Sequence, residues 1–234
     1  MILGISSFAY AWSIGVEGYM PDHPMDEVGL VEKTLQADLY CLQIGDNLPI
    51  HQLAPDRIDN LNNLIRKNNI RLEIGARKLT PEHLDHYIER CSFFNSPLLR
   101  FVVDGDNYEP DRATIIGIIR DALPLLTKHN LTLGIENHDR FKATELASIM
   151  DAIGSEQVGI CLDCVNSLGA GEGLDYTSDV LAPYTVNLHI KDFRIQRLPH
   201  KMGFLVTGTP AGDGMMNVPQ LWEKLSRYNR CKSA

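Results

Sequence analysis

No run of eighteen apolar residues occurs in this chain, so no segment reads as a membrane-spanning helix. The opening MILGISSFAYAW lacks the basic n-region and small-residue cleavage site of a secretory signal and reads instead as a first strand. Positive charge is in the minority: 22 Lys and Arg stand against 30 Asp and Glu, for a formal charge of −8. That balance speaks against a nucleic-acid or anionic-membrane partner. Linkers, low-complexity tracts and long charge runs are absent, which points to one domain over residues 1–234. Cysteines are five, odd in number and scattered. Cys161 and Cys164 have a CxxC spacing, but Asp163 stands between them at a strand end. A redox or zinc pair is therefore the weaker reading beside reduced, partly buried thiols in a cytoplasmic protein. The glycine-rich segment 203–214 (GFLVTGTPAGDG) lacks the GK[ST] of a phosphate loop and does not follow a strand as a dinucleotide fingerprint does. It reads as a long βα loop folded over a barrel rim.

What is present is alternation. Apolar runs at 2–6, 38–44, 70–75, 98–103, 131–136, 157–163 and 184–190 read as strands covered on both faces. Helical patterns lie between or after them at 25–35, 56–68, 80–95, 111–129, 142–152 and 217–228. Thr80-Pro81 has the form of an N-cap followed by proline at the first helical position. Pro124 is expected to kink or divide the fourth helix. Strict alternation implies a parallel sheet, and seven units imply an α/β barrel of the (β/α)8 TIM type, one strand short.

Three of these strands end in a metal-ligand residue. Glu136, Asp163 and His189 are 27 and 26 residues apart, about one βα unit each time. A barrel gathers the C-terminal ends of its strands on one rim, so the three would converge. Two carboxylates and an imidazole suit a divalent cation. Taken singly, each carboxylate reads equally as a salt-bridged rim group, and His189 as a core histidine. His138, Asn137 and Lys191 lie just past strand ends and are candidates to orient the ligands or touch substrate. Arg100, Arg194 and Arg197 are candidates for a substrate's far end, and Trp12 with Tyr10 for an apolar wall. Glu73 faces either the lumen or the helical layer.

GIENHDRF (134–141), CLDCVNSLG (161–169), NLHIKDF (187–193) and GTPAGDGMMNVPQLWEKL (208–225) together resemble the sugar phosphate isomerase/epimerase group of xylose-isomerase-like TIM barrels. That group includes ketose 3-epimerases, inosose dehydratases and apurinic endonucleases. The resemblance implies one divalent metal (Mn²⁺, Mg²⁺ or Co²⁺, with Zn²⁺ also allowed) on Glu136, Asp163 and His189. It also implies Glu136 as the proton carrier of an enediolate-forming isomerase or epimerase of a sugar or sugar phosphate. His138, Asn166, Lys191, Arg194 and Trp12 are the expected substrate contacts. Asn166 stands where ketose 3-epimerases usually have histidine, which separates this chain from their particular substrate. An inosose-type dehydratase uses the same enolate logic, and a non-catalytic sugar-binding or assembly barrel is the rival from another class.

The family's fourth ligand is a glutamate on strand eight, and no counterpart exists among residues 1–234. The expectation is that further residues after Ala234 supply that strand and glutamate. Without them the first and seventh strand edges should face each other across a gap, with homo-oligomerisation through those edges as the consequence.

Overall fold

The computed structural model describes residues 1–234. Seven parallel strands lie side by side in chain order: β1 (Ile5–Ser6), β2 (Cys41–Ile44), β3 (Arg71–Arg77), β4 (Leu98–Val102), β5 (Thr132–Glu136), β6 (Val158–Asp163) and β7 (Thr185–His189). All the expected strands are present. β2, β4 and β6 are buried at every residue, which is why they read as unbroken apolar runs rather than alternating ones.

The helical layer comprises α1 (Ala11–Ile14), α2 (Glu27–Gln36), α3 (Pro55–Lys67), α4 (Pro81–Phe94), α5 (Arg112–Lys128), α6 (Ala143–Ile153), α7 (Leu174–Leu181) and α8 (Val218–Ser226). Local chemistry starts and stops them. Thr80 caps α4 by accepting from the His83 amide at 3.2 Å, and Asn95 ends it in the left-handed region. Contrary to expectation, α5 runs undivided through Pro124. Pro124 lacks the N–H that would reach the Arg120 carbonyl, yet Ile115, Ile119, Ala122 and Leu126 seat one face of the helix in the core. Four such side chains, at about 1.5–3 kcal/mol for each large one, outweigh one lost hydrogen bond.

The expected gap between β1 and β7 is bridged. No eighth strand forms, but the final residues lie between the two edges, with Ser233 paired in parallel to both Ile2 and Asn187. The amides of Ile2 and Gly4 donate to the carbonyls of Lys232 and Ala234, and the Leu188 amide donates to that of Ser233. The edges are therefore not bare.

The barrel interior is polar near this closure. Glu73 of β3 faces the lumen and is 1% exposed. Its Oε1 accepts from Ser233 Oγ at 2.7 Å and Arg71 Nε at 3.0 Å. Its Oε2 accepts from Gln43 Nε2 at 3.2 Å and Asn187 Nδ2 at 3.4 Å. A buried carboxylate is tolerable only when its lone pairs are filled in this way. Ser233→Ala is expected to lower stability by about 1–3 kcal/mol, because it leaves Glu73 and Asn187 each short of a partner. Urea unfolding measures this, and an unchanged midpoint would remove the network from the account of barrel closure.

Candidate metal and substrate site

The C-terminal ends of β4 to β7 carry Arg100, Glu136, Asp163 and His189 to one rim. Arg100, Glu136 and His189, with Asn166, His138 and Lys191, line a cavity of about 420 Å³; Asp163 lies behind this wall. His189 Nδ1 is 3.3 Å from Glu136 Oε2 and 4.0 Å from Asp163 Oδ2. Its other nitrogen, Nε2, is 2.6 Å from Gln43 Oε1. The Gln43 amide is fixed because its Nε2 donates to Glu73 and to Asn187 Oδ1. Gln43 Oε1 is then an acceptor, and His189 Nε2 carries the proton. A neutral His189 so oriented aims its Nδ1 lone pair at two carboxylates. A cation among the three groups, a proton or a metal ion, favours that arrangement, beside Arg100 on Glu136 Oε2 and the Lys191 ammonium 2.7 Å from Asp163 Oδ2.

Asp163 is shaped for the same task. Its Oδ1 accepts from the amides of Val165 at 2.9 Å and Asn166 at 3.0 Å. Asn137 clamps its backbone, accepting from the Asp163 amide at 2.6 Å and donating to the Asp163 carbonyl at 2.9 Å. The remaining oxygen, Oδ2, is buried and has no aligned hydrogen bond, although the Lys191 ammonium lies 2.7 Å away. An oriented imidazole and two buried carboxylates, one of them neutralised by Lys191, form a donor set that fits a divalent cation. Cys161 Sγ is also within 4.8 Å of ligand atoms on Glu136 and His189. Burial, reinforced by the Glu136 charge, holds this thiol well above its usual range, and it donates to Asn187 Oδ1 at 2.9 Å. Cys161 is engaged with Asn187, and a hard cation such as Mg²⁺ or Mn²⁺ prefers the oxygen and nitrogen donors.

Glu136 is held from several sides. Arg100 Nε donates to its Oε2, and Asn166 Nδ2 donates to its Oε1 at 2.8 Å. Burial alone would raise the Glu136 pKa, but the Arg100 charge overturns that, with His189 adding to it when Nδ1 also carries a proton, and Glu136 is held below the carboxylate range. Arg100 in turn is buried between Glu136 and Asp46, and their charges keep it protonated against the opposing effect of burial.

Among the residues expected to touch substrate, His138, Asn166 and Lys191 border the cavity. Lys191 Nζ also donates to Asn166 Oδ1 at 3.1 Å. Trp12 and Arg194 do not border it. Trp12 is 68% exposed and packs edge-on against Tyr19 at 5.6 Å. Arg194 points its guanidinium at the Asp213 carbonyl. Phe8 supplies the aromatic wall instead, with the Arg100 guanidinium 5.7 Å from its ring centre. Arg100 serves as the partner of Glu136 and Asp46 rather than as a free cation. The polar residues Gln43, Asp46 and Asn187 were not singled out in the sequence. Gln43 and Asn187 are single polar residues inside otherwise apolar strands, a signal present in CLQI and TVNLH, whereas Asp46 lies in the turn after β2.

The expected loop over 203–214 is largely a β-hairpin. β8 (Asp192–Arg197) and β9 (Phe204–Thr209) pair antiparallel, and the glycines that follow wrap the Asp192 carboxylate. Asp192 is 3% exposed and accepts from the amides of Gly212, Gly214 and Met216 at 2.9–3.0 Å. A Cβ on Gly214 would fall 2.0 Å from Asp192 Oδ1. Gly214→Ala should therefore displace this segment, at a cost of about 1–3 kcal/mol. Faster tryptic cleavage at Arg194, Arg197 or Lys201 with an unchanged barrel melting transition is the expected readout. An unaltered digest would show that the segment accommodates the methyl group.

With this geometry in hand, the chain can be set beside known proteins. Residues 33–230 match the family described as xylose isomerase-like TIM barrel. The chain is 28% identical over 230 residues to the 3-oxo-isoapionate decarboxylase of Pectobacterium atrosepticum, covering 98% of this chain and 82% of that protein. A xylose isomerase-like TIM barrel protein from Mycobacterium smegmatis, solved in complex with magnesium, superposes with a TM-score of 0.74 at 12% identity, over 99% of this chain and 88% of that one. The D-psicose 3-epimerase of Clostridium cellulolyticum H10, solved with D-tagatose, gives 0.72 at 14% identity, over 100% and 83%. The chain belongs to the xylose isomerase-like TIM barrel family.

Proposed function

We propose that the protein is a divalent-metal-dependent enzyme that generates the enediolate of a small polyhydroxy ketone, with Glu136, Asp163 and His189 as metal ligands. The observation that carries this is the convergence of His189 Nδ1, with Nε2 held against Gln43, on the carboxylates of Glu136 and Asp163. A divalent cation there supplies Lewis-acid stabilisation of negative charge developing on a carbonyl oxygen. Mn²⁺, Mg²⁺ and Co²⁺ suit this oxygen-rich set.

An enediolate arises either by removing a carbon-bound proton, as an isomerase, epimerase or dehydratase does, or by breaking a carbon–carbon bond. The first route needs a basic group. Glu136 is the carboxylate in place, but Arg100 occupies its Oε2 and Asn166 its Oε1. A carboxylate so engaged is a poor base. The second route needs none. In a 3-oxo acid the electron pair of the bond to the carboxylate carbon moves toward the ketone, carbon dioxide leaves, and the enediolate is then protonated on carbon. Lys191 and Arg77 border the cavity as cations able to hold the substrate carboxylate. The named activity of the Pectobacterium relative is of this kind. Decarboxylation of a polyhydroxy 3-oxo acid is accordingly the preferred reading, and proton-transfer isomerisation is the second.

Deuterium oxide separates the two. With Mn²⁺ and a polyhydroxy 3-oxo acid, carbon dioxide release with deuterium at the new C–H position is expected. Ketoses exchanging a C–H for deuterium without carbon dioxide release would establish the isomerase reading instead. Neither outcome, with metal bound, would leave a binding barrel. In the same preparation Lys191→Ala should raise KM for the acid by about ten-fold or more, with a smaller change in kcat.

The ligand set is checked apart from turnover. Asp163→Ala and His189→Ala should each weaken Mn²⁺ binding by at least about ten-fold in calorimetry. Trp12→Ala and Arg194→Ala should leave it unchanged. Equal affinity across all four variants would remove the rim site from consideration.

A further inference from the structure

Three histidines meet away from the rim site, where the short turn Ile50–Gln52 after β2 packs on α4. His83 and His86 are three residues apart on α4 and so share a face. His51 comes from the turn, edge-on to both rings, with its centroid 5.1 Å from His83 and 6.2 Å from His86. None of the three enters the chemistry proposed above.

The cluster has the marks of a ligand set rather than of ordinary packing. His51 is oriented from behind: its Nδ1 lies 2.7 Å from the hydroxyl of Tyr87, which is itself 1% exposed. Metal-bound imidazoles are commonly fixed in this way through their second nitrogen. The other His51 nitrogen, Nε2, has only Gln52 Nε2 at 3.4 Å, a long contact. The His83 nitrogens make no hydrogen bond to the protein. His86 has only Arg90 Nε at 3.5 Å, at the outer limit of a hydrogen bond. Burial, then the neighbouring His86 for His51 and His51 for His83, pushes both rings below the usual histidine range, so their lone pairs are free at neutral pH.

Distance favours the same reading. A tetrahedral ion with Zn–N bonds of about 2.0–2.1 Å places the centroids of two bound imidazoles roughly 5 Å apart. The His51–His83 pair has that centroid spacing, whereas His86 stands farther off, 6.2 Å from His51, and has to move for three ring nitrogens to meet on one ion. We propose that His51, His83 and His86 form a second metal site, selective for a transition cation of the Zn²⁺ type. All-imidazole ligation suits Zn²⁺, Ni²⁺ or Cu²⁺, whereas the carboxylate-rich rim suits Mg²⁺ or Mn²⁺, so the two sites select different ions. An ion here ties the segment after β2, which includes Asp46, to α4. It thereby steadies the carboxylate that holds Arg100.

Counting zinc tests this. After equilibrium dialysis, the wild-type protein is expected to hold one more Zn²⁺ per chain than the His83→Ala/His86→Ala variant. His189→Ala should keep that additional ion, so failure of the rim site leaves the count at this cluster readable. Cu²⁺ on His189→Ala should show imidazole nitrogen splitting in its paramagnetic resonance spectrum, and the splitting should vanish when His83 and His86 are also replaced. Equal zinc in the wild type and the folded double variant overturns the proposal. If the double variant does not fold, His86→Ala decides: Zn²⁺ binding about ten-fold weaker supports the site, and unchanged binding overturns it.

Discussion

The ion pair between Arg100 and Glu136 is the constraint on which the rim depends. Both side chains are almost wholly buried, where an unpaired charge costs several kcal/mol. Removing either partner from such a pair typically costs about 3–5 kcal/mol, because the survivor is stranded. Asp46 shares the Arg100 guanidinium, so the ends of β2, β4 and β5 are bound through one cation. The same cation fixes which Glu136 oxygen faces His189, and it restricts the basicity of Glu136. The structure of the barrel top and the choice between reaction routes thus rest on the same contact.

Much of this was legible in the sequence because the barrel imposes a simple rule on its strands. A strand covered by helices on one face and by the lumen on the other is apolar at nearly every position, so a charged residue at its C-terminal end stands out. That is how Glu136 and Asp163 could be placed at the rim from LTLGIE and VGICLD. Arg100 carried an equally strong signal, a cation inside LLRFVV. What the sequence could not supply was its partner, which lies 36 residues on and on the neighbouring strand. An arginine beside a rim read as free to hold substrate when it was already committed to Glu136.

The misread segments share a different cause. In β8, Phe193 and Ile195 alternate with Asp192, Arg194 and Gln196, which is a strand pattern, and β9 opens on the short apolar run Phe204-Leu205-Val206. The adjoining glycines masked it, because glycine-rich stretches suggest loops. Their actual use is a close approach to one carboxylate, that of Asp192, and only tertiary structure shows it. α7 was missed because its N-cap is Gly173, with no side-chain capping bond to mark its start. The closing residues 231–234 were too few to carry any periodicity, so their pairing with both β1 and β7 had no sequence signature.

The polar lumen joins barrel closure to the site. Ser233 Oγ donates to Glu73, Gln43 donates to the other Glu73 oxygen, and the Gln43 carbonyl oxygen accepts from His189 Nε2. Every link has its donor and acceptor sense fixed by the next. Glu73 accepts only, so Gln43 must turn its amino group down and its oxygen up, and His189 must present Nδ1 to the rim. An apolar lumen would pack as well, and large apolar side chains commonly fill such barrels. It would not select the histidine tautomer. The buried carboxylate within this chain of hydrogen bonds therefore serves orientation: through Gln43 it sets which nitrogen of His189 faces Glu136 and Asp163, three hydrogen bonds from the Ser233 hydroxyl where the chain of bonds begins.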